Sequence, residues 1–512
     1  MTLEGSPTPW AYWAIRLLFR FALRVFYGNI ILENVENIPP RGVPCILCPN
    51  HSNSLVDSLL VCTQIPTERR EFIRPVAKST LWGKRNFGSW LVENTGAVPV
   101  KRRRDFNDGP IDNTEAMRKI LEVLELGDMV LMYPEGVSRY HPSMSPLKTG
   151  VARIVSDVLS RNRDNPDFEV TVATCSITYT HREHFRSDVL VTFHPPMVFT
   201  PKMNPELLCP VSEDAVHAVT ERIHHSIRSG TLDAPSWKVL RAAKLAANIY
   251  APLGARLSLG THVRLVKRFV DVFGGGPART VTSEVLLGLQ RDLNEYQVHL
   301  SLRKLTDDSL RDHHRCINNL ICLIVRVLWG TTLGLLSLPG LLLWLPAIIF
   351  SRRRLRRHLR KGPAADTWDE IAEIKVSSGV IAGIPVFLFA SLAGSFYSPY
   401  SPIVVAAVMW MSLRWMEDAI ASLRRAMALG RLLLTPESGL KELRALREDI
   451  RDRVFAVALI ELGLPDDPES LADGIIGLKE ILPYFSVFKR RKRCWNEVLS
   501  LYDKVDYPPD DS

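Results

Sequence analysis

Two long stretches of this chain contain no charged residue, and they limit its fold more than any other feature. Val327–Phe350 is one and Val376–Leu413 is the other. At about 1.5 Å per helical residue the first is long enough to span a bilayer. Blocks of this kind form membrane helices or the buried centre of a large soluble core. Pro339-Gly340 and Pro346 would let the wider segment Asn318–Phe350 fold instead as a tight re-entrant hairpin. Ser398-Pro399-Tyr400-Ser401-Pro402 reads as a turn between two spanning helices. Arg352, Arg353, Arg354, Arg356, Arg357, Arg360 and Lys361 follow the first block, and Arg414, Arg424 and Arg425 follow the second. Such clusters mark the cytosolic side, each cation contributing about 1 kcal/mol at an anionic surface. A catalytic domain on that same side requires Asn318–Phe350 to enter and leave by one face.

The chain's 512 residues are enough for two or three domains. Its net charge of +9 favours anionic partners, such as membrane surfaces or phosphorylated substrates, and does not select nucleic acid. Eight cysteines are scattered, and Cys45-x-x-Cys48 has no second pair, so these read as core residues in a reducing compartment without disulfides. The N-terminus has neither a basic n-region nor a small-residue cleavage site, so no secretory signal peptide is expected. From Trp10 to Tyr27, Arg16, Arg20 and Arg24 recur every four residues on one helical stripe. Ile15, Leu18, Phe19, Ala22, Val25 and Phe26 fill the remainder, which suggests an interfacial amphipathic helix within residues 1–30. An ordinary surface helix packed on its own domain is the simpler alternative.

From Cys45 to about Val198 the pattern alternates between strands and helices, an α/β domain. Cys45–Cys48, Phe72–Ala77, Ala97–Val100, Met129–Tyr133, Val170–Tyr179 and Val189–Phe193 read as strands, and Thr114–Leu126 as a helix. After the first strand, Ser52, Asn53 and Ser54 are candidate caps for a helix beginning at Leu55-Val56. His51 then lies on a strand-to-helix loop and Asp57 within the helix. Residues six apart on one helix would point about 240° from each other, so the two meet only if His51 lies outside it. A histidine oriented by a carboxylate is the arrangement of a general base. A surface histidine near a helix cap is the plain alternative.

Three further stretches join this loop. Gly96-Ala97-Val98-Pro99-Val100 is followed by Lys101, Arg102, Arg103 and Arg104, cations suited to a phosphate or to open solvent. Tyr133-Pro134-Glu135-Gly136-Val137-Ser138-Arg139 ends a strand, and Pro146-Leu147-Lys148-Thr149-Gly150 leads into a helix. Phe185-Arg186-Ser187 precedes the last strand. In this order the motifs resemble the glycerolipid acyltransferase superfamily. The five residues between His51 and Asp57, with Asn53 two places after the histidine, resemble the fungal-type glycerol-3-phosphate/dihydroxyacetone-phosphate acyltransferases. The resemblance covers residues 10–200 and continues more weakly to 313. It departs at Glu135-Gly136-Val137-Ser138, where the family has Glu-Gly-Thr-Arg and Arg139 is displaced by one. It departs again at Thr171-Val172, where Val-Pro is usual.

The resemblance implies an α/β acyltransferase domain, a mixed sheet flanked by helices, over residues 31–200. A helical extension is expected over 201–315, membrane or re-entrant hairpins over 316–415 and a cytosolic helical tail over 416–512. It implies His51 as base and Asp57 as its partner. Lys101, Arg102, Glu135, Gly136, Arg139 and Lys148 are implied as substrate-binding residues, Arg102 foremost for the phosphate. The implied reaction moves a fatty acyl group from acyl-CoA, a co-substrate, to the sn-1 hydroxyl of glycerol 3-phosphate. No metal and no bound cofactor is implied. The chain is then an integral membrane protein of the endoplasmic reticulum with its catalytic domain facing the cytosol, and its oligomeric state is open. A lysophosphatidate or other lysophospholipid acceptor is the nearest alternative. A non-catalytic membrane scaffold or lipid-binding protein is the alternative of another class.

Overall fold

The computed structural model describes residues 9–471 except 86, 103–104, 106–110, 252–256, 276–281, 306, 308–309, 311–315 and 363–366. Arg103, Arg104, Arg311-Asp312-His313 and the basic run Lys489–Arg493 thus lie outside the described residues. The chain divides into two compact units. One comprises Met1–Thr231 with Trp368–Glu373, the other Leu232–Thr367 with Ile374–Ser512.

The first unit opens with helix α1 (Pro9–Phe26) and strand β1 (Ile30–Glu33), followed by β2 (Cys45–Pro49) and α2 (Ser54–Gln64). Next come β3 (Ile73–Lys78), α3 (Phe87–Asn94), β4 (Val98–Val100), α4 (Thr114–Glu125) and β5 (Met129–Leu131). Helix α5 (Gly150–Arg161), strands β6 (Val170–Tyr179), β7 (Val189–Phe193) and β8 (Met197–Phe199), and helix α6 (Glu213–Gly230) complete it. The strands form one sheet in the order β1-β7-β6-β2-β5-β3-β4, with β8 also on β6. Strand β2 lies between β6 and β5 and runs parallel to both, pairing Leu47 with Ala173 and with Leu131. β7 and β8 run antiparallel to β6, which makes the sheet mixed.

The central position of β2 explains its unbroken apolar sequence, since a strand covered on both faces has no polar side. Ile46 and Cys48 enter the cluster made with Ile120 and Leu124 of α4, Val155 and Leu159 of α5, and Ile223 and Ile227 of α6. Cys45 and Leu47, equally buried, take the other face by the alternation of the pleat. Helix α6 lies in this first unit, which runs to Thr231. Because β2, β5, β6 and β4 are parallel, the loops after Pro49, Leu131, Tyr179 and Val100 leave the sheet at one edge. In open α/β sheets ligands bind at that edge.

Helix α1 corrects one expectation. Arg16 lies on the packed side, 4% exposed, donating to the carbonyls of Glu71 (3.0 Å) and Ile65. Tyr12, Ile15, Phe19 and Leu23 are buried beside it. The outward face carries Trp10, Trp13, Leu17 and Phe21. Apolar burial set this orientation, and Arg16 follows it because two backbone carbonyls receive its guanidinium.

In the second unit, α7 (Trp237–Tyr250), α8 (Leu259–Phe273) and α9 (Ser283–Arg303) precede α10 (Cys316–His358). Then follow α11 (Ile371–Ser395), which belongs to this unit from Ile374 on, α12 (Ser401–Leu434) and α13 (Glu437–Ile460). The turn expected at Ser398–Pro402 separates α11 from α12. The re-entrant hairpin over Asn318–Phe350 is absent: α10 runs unbroken through Pro339 and Pro346. Each proline removes one donor, a loss that apolar helices absorb through neighbouring packing. Here α12 supplies it: the Trp344 indole donates to the Met409 carbonyl at 3.0 Å. A Cβ at Gly340 would overlap Ser412 and the Val408 carbonyl, so only glycine permits this approach. Leu320–His358 and Trp368–Ser395 are long and apolar enough to cross a membrane, and only 22% of each apolar window is buried. Two such helices suggest membrane association.

Candidate active site

Pro49 ends β2, and the next eight residues build the centre of the site. His51 Nδ1 lies 3.0 Å from Asp57 Oδ2. The same oxygen accepts the backbone N–H groups of Ser52 (2.9 Å) and Asn53 (2.8 Å). Tyr179 donates its hydroxyl to the other oxygen, Oδ1, at 2.6 Å. Asp57 is fully buried, and hydrogen-bond partners satisfy both of its oxygens. The helix start is consequently capped from within. Asn53 is the cap residue but makes no side-chain cap bond, and the carboxylate one turn into α2 takes that role.

With both backbone donors already on Oδ2, the hydrogen between that oxygen and His51 sits on Nδ1. In the neutral imidazole Nε2 then carries the lone pair. The imidazole stacks on the Tyr133 ring, centroids 3.9 Å apart and planes 22° apart, which fixes the ring plane. Tyr133, Tyr179 and Tyr27 are all held well above the usual phenol range, first by burial and then by the Asp57 charge. They remain hydrogen-bond donors at physiological pH. Asn50 anchors the loop from the other side, exchanging hydrogen bonds with the Ile177 backbone on β6 at 3.1 and 2.7 Å.

Glu135 lies against this loop. Its Oε1 accepts the His51 N–H at 2.7 Å and Oε2 accepts the Ser145 N–H at 3.0 Å. Burial pushes its carboxyl upward, partly offset by those two N–H donors. Glu135 thus ties the His51 backbone to the loop after β5. Gly136 has φ +70°, and a Cβ there would come 2.7 Å from Lys148 Nζ, so glycine satisfies both the turn and the lysine above it. Lys148 is exposed, its N–H bonded to the Pro134 carbonyl at 2.8 Å, and Arg139 is exposed nearby in sequence. Ser138, in the position that departs from the family motif, accepts the Ser54 N–H at 2.9 Å.

The basic stretch after β4 is arranged differently. Lys101 is exposed and its backbone exchanges bonds with the Asn113 side chain. Arg102 forms a two-pronged pair with Asp105, at 2.8 and 3.1 Å. The structure therefore gathers His51, Asp57, Glu135 and Gly136 around one loop. Arg102 it engages with an acid three residues on. Among the described residues one group has metal-ligand composition, His181, Glu183 and His184. There His184 already pairs with Glu183 at 3.2 Å, and the two histidines hold that carboxyl down near about 2 against burial.

Sequence reasoning missed Tyr133, Tyr179, Asn50 and Ser138 as site residues. Both tyrosines stand at the ends of apolar strands beside the loop, a position that could have flagged them.

Residues 29–178 match the family model described as Acyltransferase, and residues 242–368 match that of the Glycerol-3-phosphate acyltransferase 2 C-terminal domain. Glycerol-3-phosphate O-acyltransferase 2 of Saccharomyces cerevisiae is 27% identical over 261 residues, 49% of this chain and 33% of the relative. Glycerol-3-phosphate O-acyltransferase 1 of the same yeast is 23% identical over 376 residues, 68% and 47%. A chloroplastic 1-acyl-sn-glycerol-3-phosphate acyltransferase of Brassica napus is 25% identical over 135 residues, 26% and 34%. The chain spans a third to just under half of the length of these curated relatives. The chain carries an acyltransferase domain followed by a glycerol-3-phosphate acyltransferase 2 C-terminal domain.

Proposed function

We propose that this chain is an acyl-CoA-dependent O-acyltransferase that esterifies the sn-1 hydroxyl of glycerol 3-phosphate, giving lysophosphatidate. The observation that carries the reading is the imidazole of His51. It is pinned through Nδ1 by a buried carboxylate and offers Nε2 at the sheet edge. That nitrogen takes the proton of the acceptor hydroxyl as its oxygen attacks the thioester carbonyl. The tetrahedral oxyanion collapses, the C–S bond breaks, and the coenzyme A thiolate leaves with the proton returned by His51. Asp57 stabilises the imidazolium in between. Proton transfer of this kind contributes about 10² to 10⁴ in rate. The thiols nearest the site, Cys48 and Cys175, are pushed up by burial, which disfavours a thiolate nucleophile and supports direct transfer.

Lys101, Arg102, Arg139 and Lys148 are the cations we assign to the acceptor phosphate and the coenzyme. The outward Trp10, Trp13, Leu17 and Phe21 of α1 suit a lipid interface. The membrane in this reading is that of the endoplasmic reticulum, with the catalytic unit on its cytosolic side. The Brassica relative's name favours a second acceptor, lysophosphatidate.

Membranes containing the protein, labelled acyl-CoA and each of glycerol 3-phosphate, dihydroxyacetone phosphate and lysophosphatidate separate the readings. Product from the first two, lost in His51→Ala, is the expected result. Product from lysophosphatidate alone keeps the chemistry and replaces the acceptor. No transfer by folded protein to any acceptor leaves the scaffold reading.

A further inference from the structure

The first unit contains one piece of chain from far beyond Thr231, namely Trp368–Glu373. Its side chains meet the base-bearing loop and the loop after β5 at three points. Glu373 Oε2 accepts the Ser54 hydroxyl at 3.0 Å and lies 3.4 Å from the Leu55 N–H, across 319 residues of sequence. Asp369, 6% exposed, takes a hydrogen bond from Ser138, whose oxygen in turn receives the Ser54 N–H. Trp368 packs on Tyr140 with centroids 5.2 Å apart. The other face of this assembly is Arg182, 4.3 Å from the Tyr140 ring centre and donating to the Ser52 carbonyl at 2.8 Å.

The two carboxylate contacts converge on Ser54. That residue sits at φ +46°, a left-handed backbone that a serine adopts only when its surroundings hold it there. It is also the first residue of α2, three positions before Asp57 and three after His51. Asp369 lies in the 3-10 turn Trp368–Glu370 that leads into α11, and Glu373 in the first turn of that helix. Two carboxylates at the edge of the site neither touch the imidazole nor serve as its partner, a role Asp57 already fills. What they touch is the hydroxyl and N–H groups that set the path of the chain between His51 and Asp57.

We infer that Asp369 and Glu373 are positioning residues for the base: Trp368–Glu373 is a strap that holds Ser54, and through it the His51–Asp57 geometry, in the reactive arrangement. The strap leads directly into an apolar helix of membrane-crossing length, so the chain that enters that helix also completes the site. This rests on the acyl-transfer reading above. A strap of this kind acts on the chemical step and leaves substrate binding as it was.

The test uses the full chain in membranes, comparing wild type with Glu373→Ala, Glu373→Gln, Ser54→Gly and the Glu373→Ala/Ser54→Gly double variant. Glycine tolerates the left-handed backbone, so Ser54→Gly removes the hydroxyl without strain. Glu373→Ala is expected to lower kcat about 10-fold, the scale of a lost charge-assisted hydrogen bond, with KM for both substrates unchanged. Glu373→Gln keeps an acceptor and should recover most of that loss. The double variant should be no worse than the poorer single one, because both break one contact. A second readout needs no turnover: carbethoxylation of His51, followed by mass spectrometry, should be faster in Glu373→Ala. Unchanged kcat, or a loss that only follows the amount of folded protein, overturns the strap, as does multiplication of the two single losses. An inactive wild type retires the acyl-transfer reading, and the His51 modification rate then decides the strap alone.

Discussion

Tyr179, the last residue of β6, donates its hydroxyl to Asp57 at 2.6 Å across 122 residues of sequence. It ties the buried Asp57 carboxylate to a part of the sheet outside its own loop. The bond exists because β6 runs parallel to β2, with Pro49 opposite Cys175. Four further residues carry β6 past the point where β2 stops, so Tyr179 reaches forward over the loop.

Tyr179→Phe removes that donor and leaves Asp57 Oδ1 buried with one partner fewer. A bond to a buried charge is worth about 1.5–3 kcal/mol, so kcat should fall roughly 10- to 100-fold if the cost appears in the chemical step. The melting temperature should fall as well, since the carboxylate is under-satisfied in the resting protein. Steady-state kinetics beside thermal melts would check this. Wild-type kcat in the variant would mean that Ser52, Asn53 and His51 suffice to orient Asp57.

Arg102 poses a different question, because Asp105 already occupies its guanidinium. Their side chains are 25% and 18% exposed, a setting in which such a pair contributes at most about 1 kcal/mol and can exchange for a phosphate. If the acceptor phosphate takes Arg102, Arg102→Ala should raise KM for glycerol 3-phosphate about 10-fold or more with kcat little altered. Asp105→Asn should lower that KM, because it frees the guanidinium. Acceptor titrations on both variants decide. Equal KM in all three proteins would make the pair a loop clasp only.

The central loop was legible because its signals are local. The apolar run Cys45–Cys48, the proline after it and the His51–Asp57 spacing all lie within thirteen residues. What sequence hid arrives through the sheet. Tyr133 and Tyr179 enter the site through the register of β5 and β6 against β2, and no short-range pattern encodes a register. Strands β1 and β8 escaped notice because they are short edge segments, β1 half-exposed throughout and β8 burying only Phe199. Pro339 and Pro346 misled in the opposite direction, since a proline reads as a break and here a packed neighbouring helix absorbs it. Arg16 reads as a solvent residue until two backbone carbonyls appear beside it.

One contribution to the pH dependence of the first unit comes from His194. This histidine is buried, and its Nε2 lies 2.7 Å from the Ser176 hydroxyl, which itself donates to the Ile227 carbonyl at 2.7 Å. The ring therefore gives its Nε2 hydrogen to Ser176. Burial holds its pKa below the ordinary 6.5. In the unfolded chain it titrates normally, so below about pH 6.5 the unfolded state binds a proton that the folded state refuses. Stability from this group is fully present above that value and is lost as pH falls toward the lower folded pKa. His194→Gln retains a donor for Ser176 but cannot titrate. Between pH 7.5 and 5.5 the wild-type melting temperature should fall by more than that of His194→Gln. Parallel melting curves at the two pH values measure the difference, and equal slopes would place the acid sensitivity of this unit on other groups.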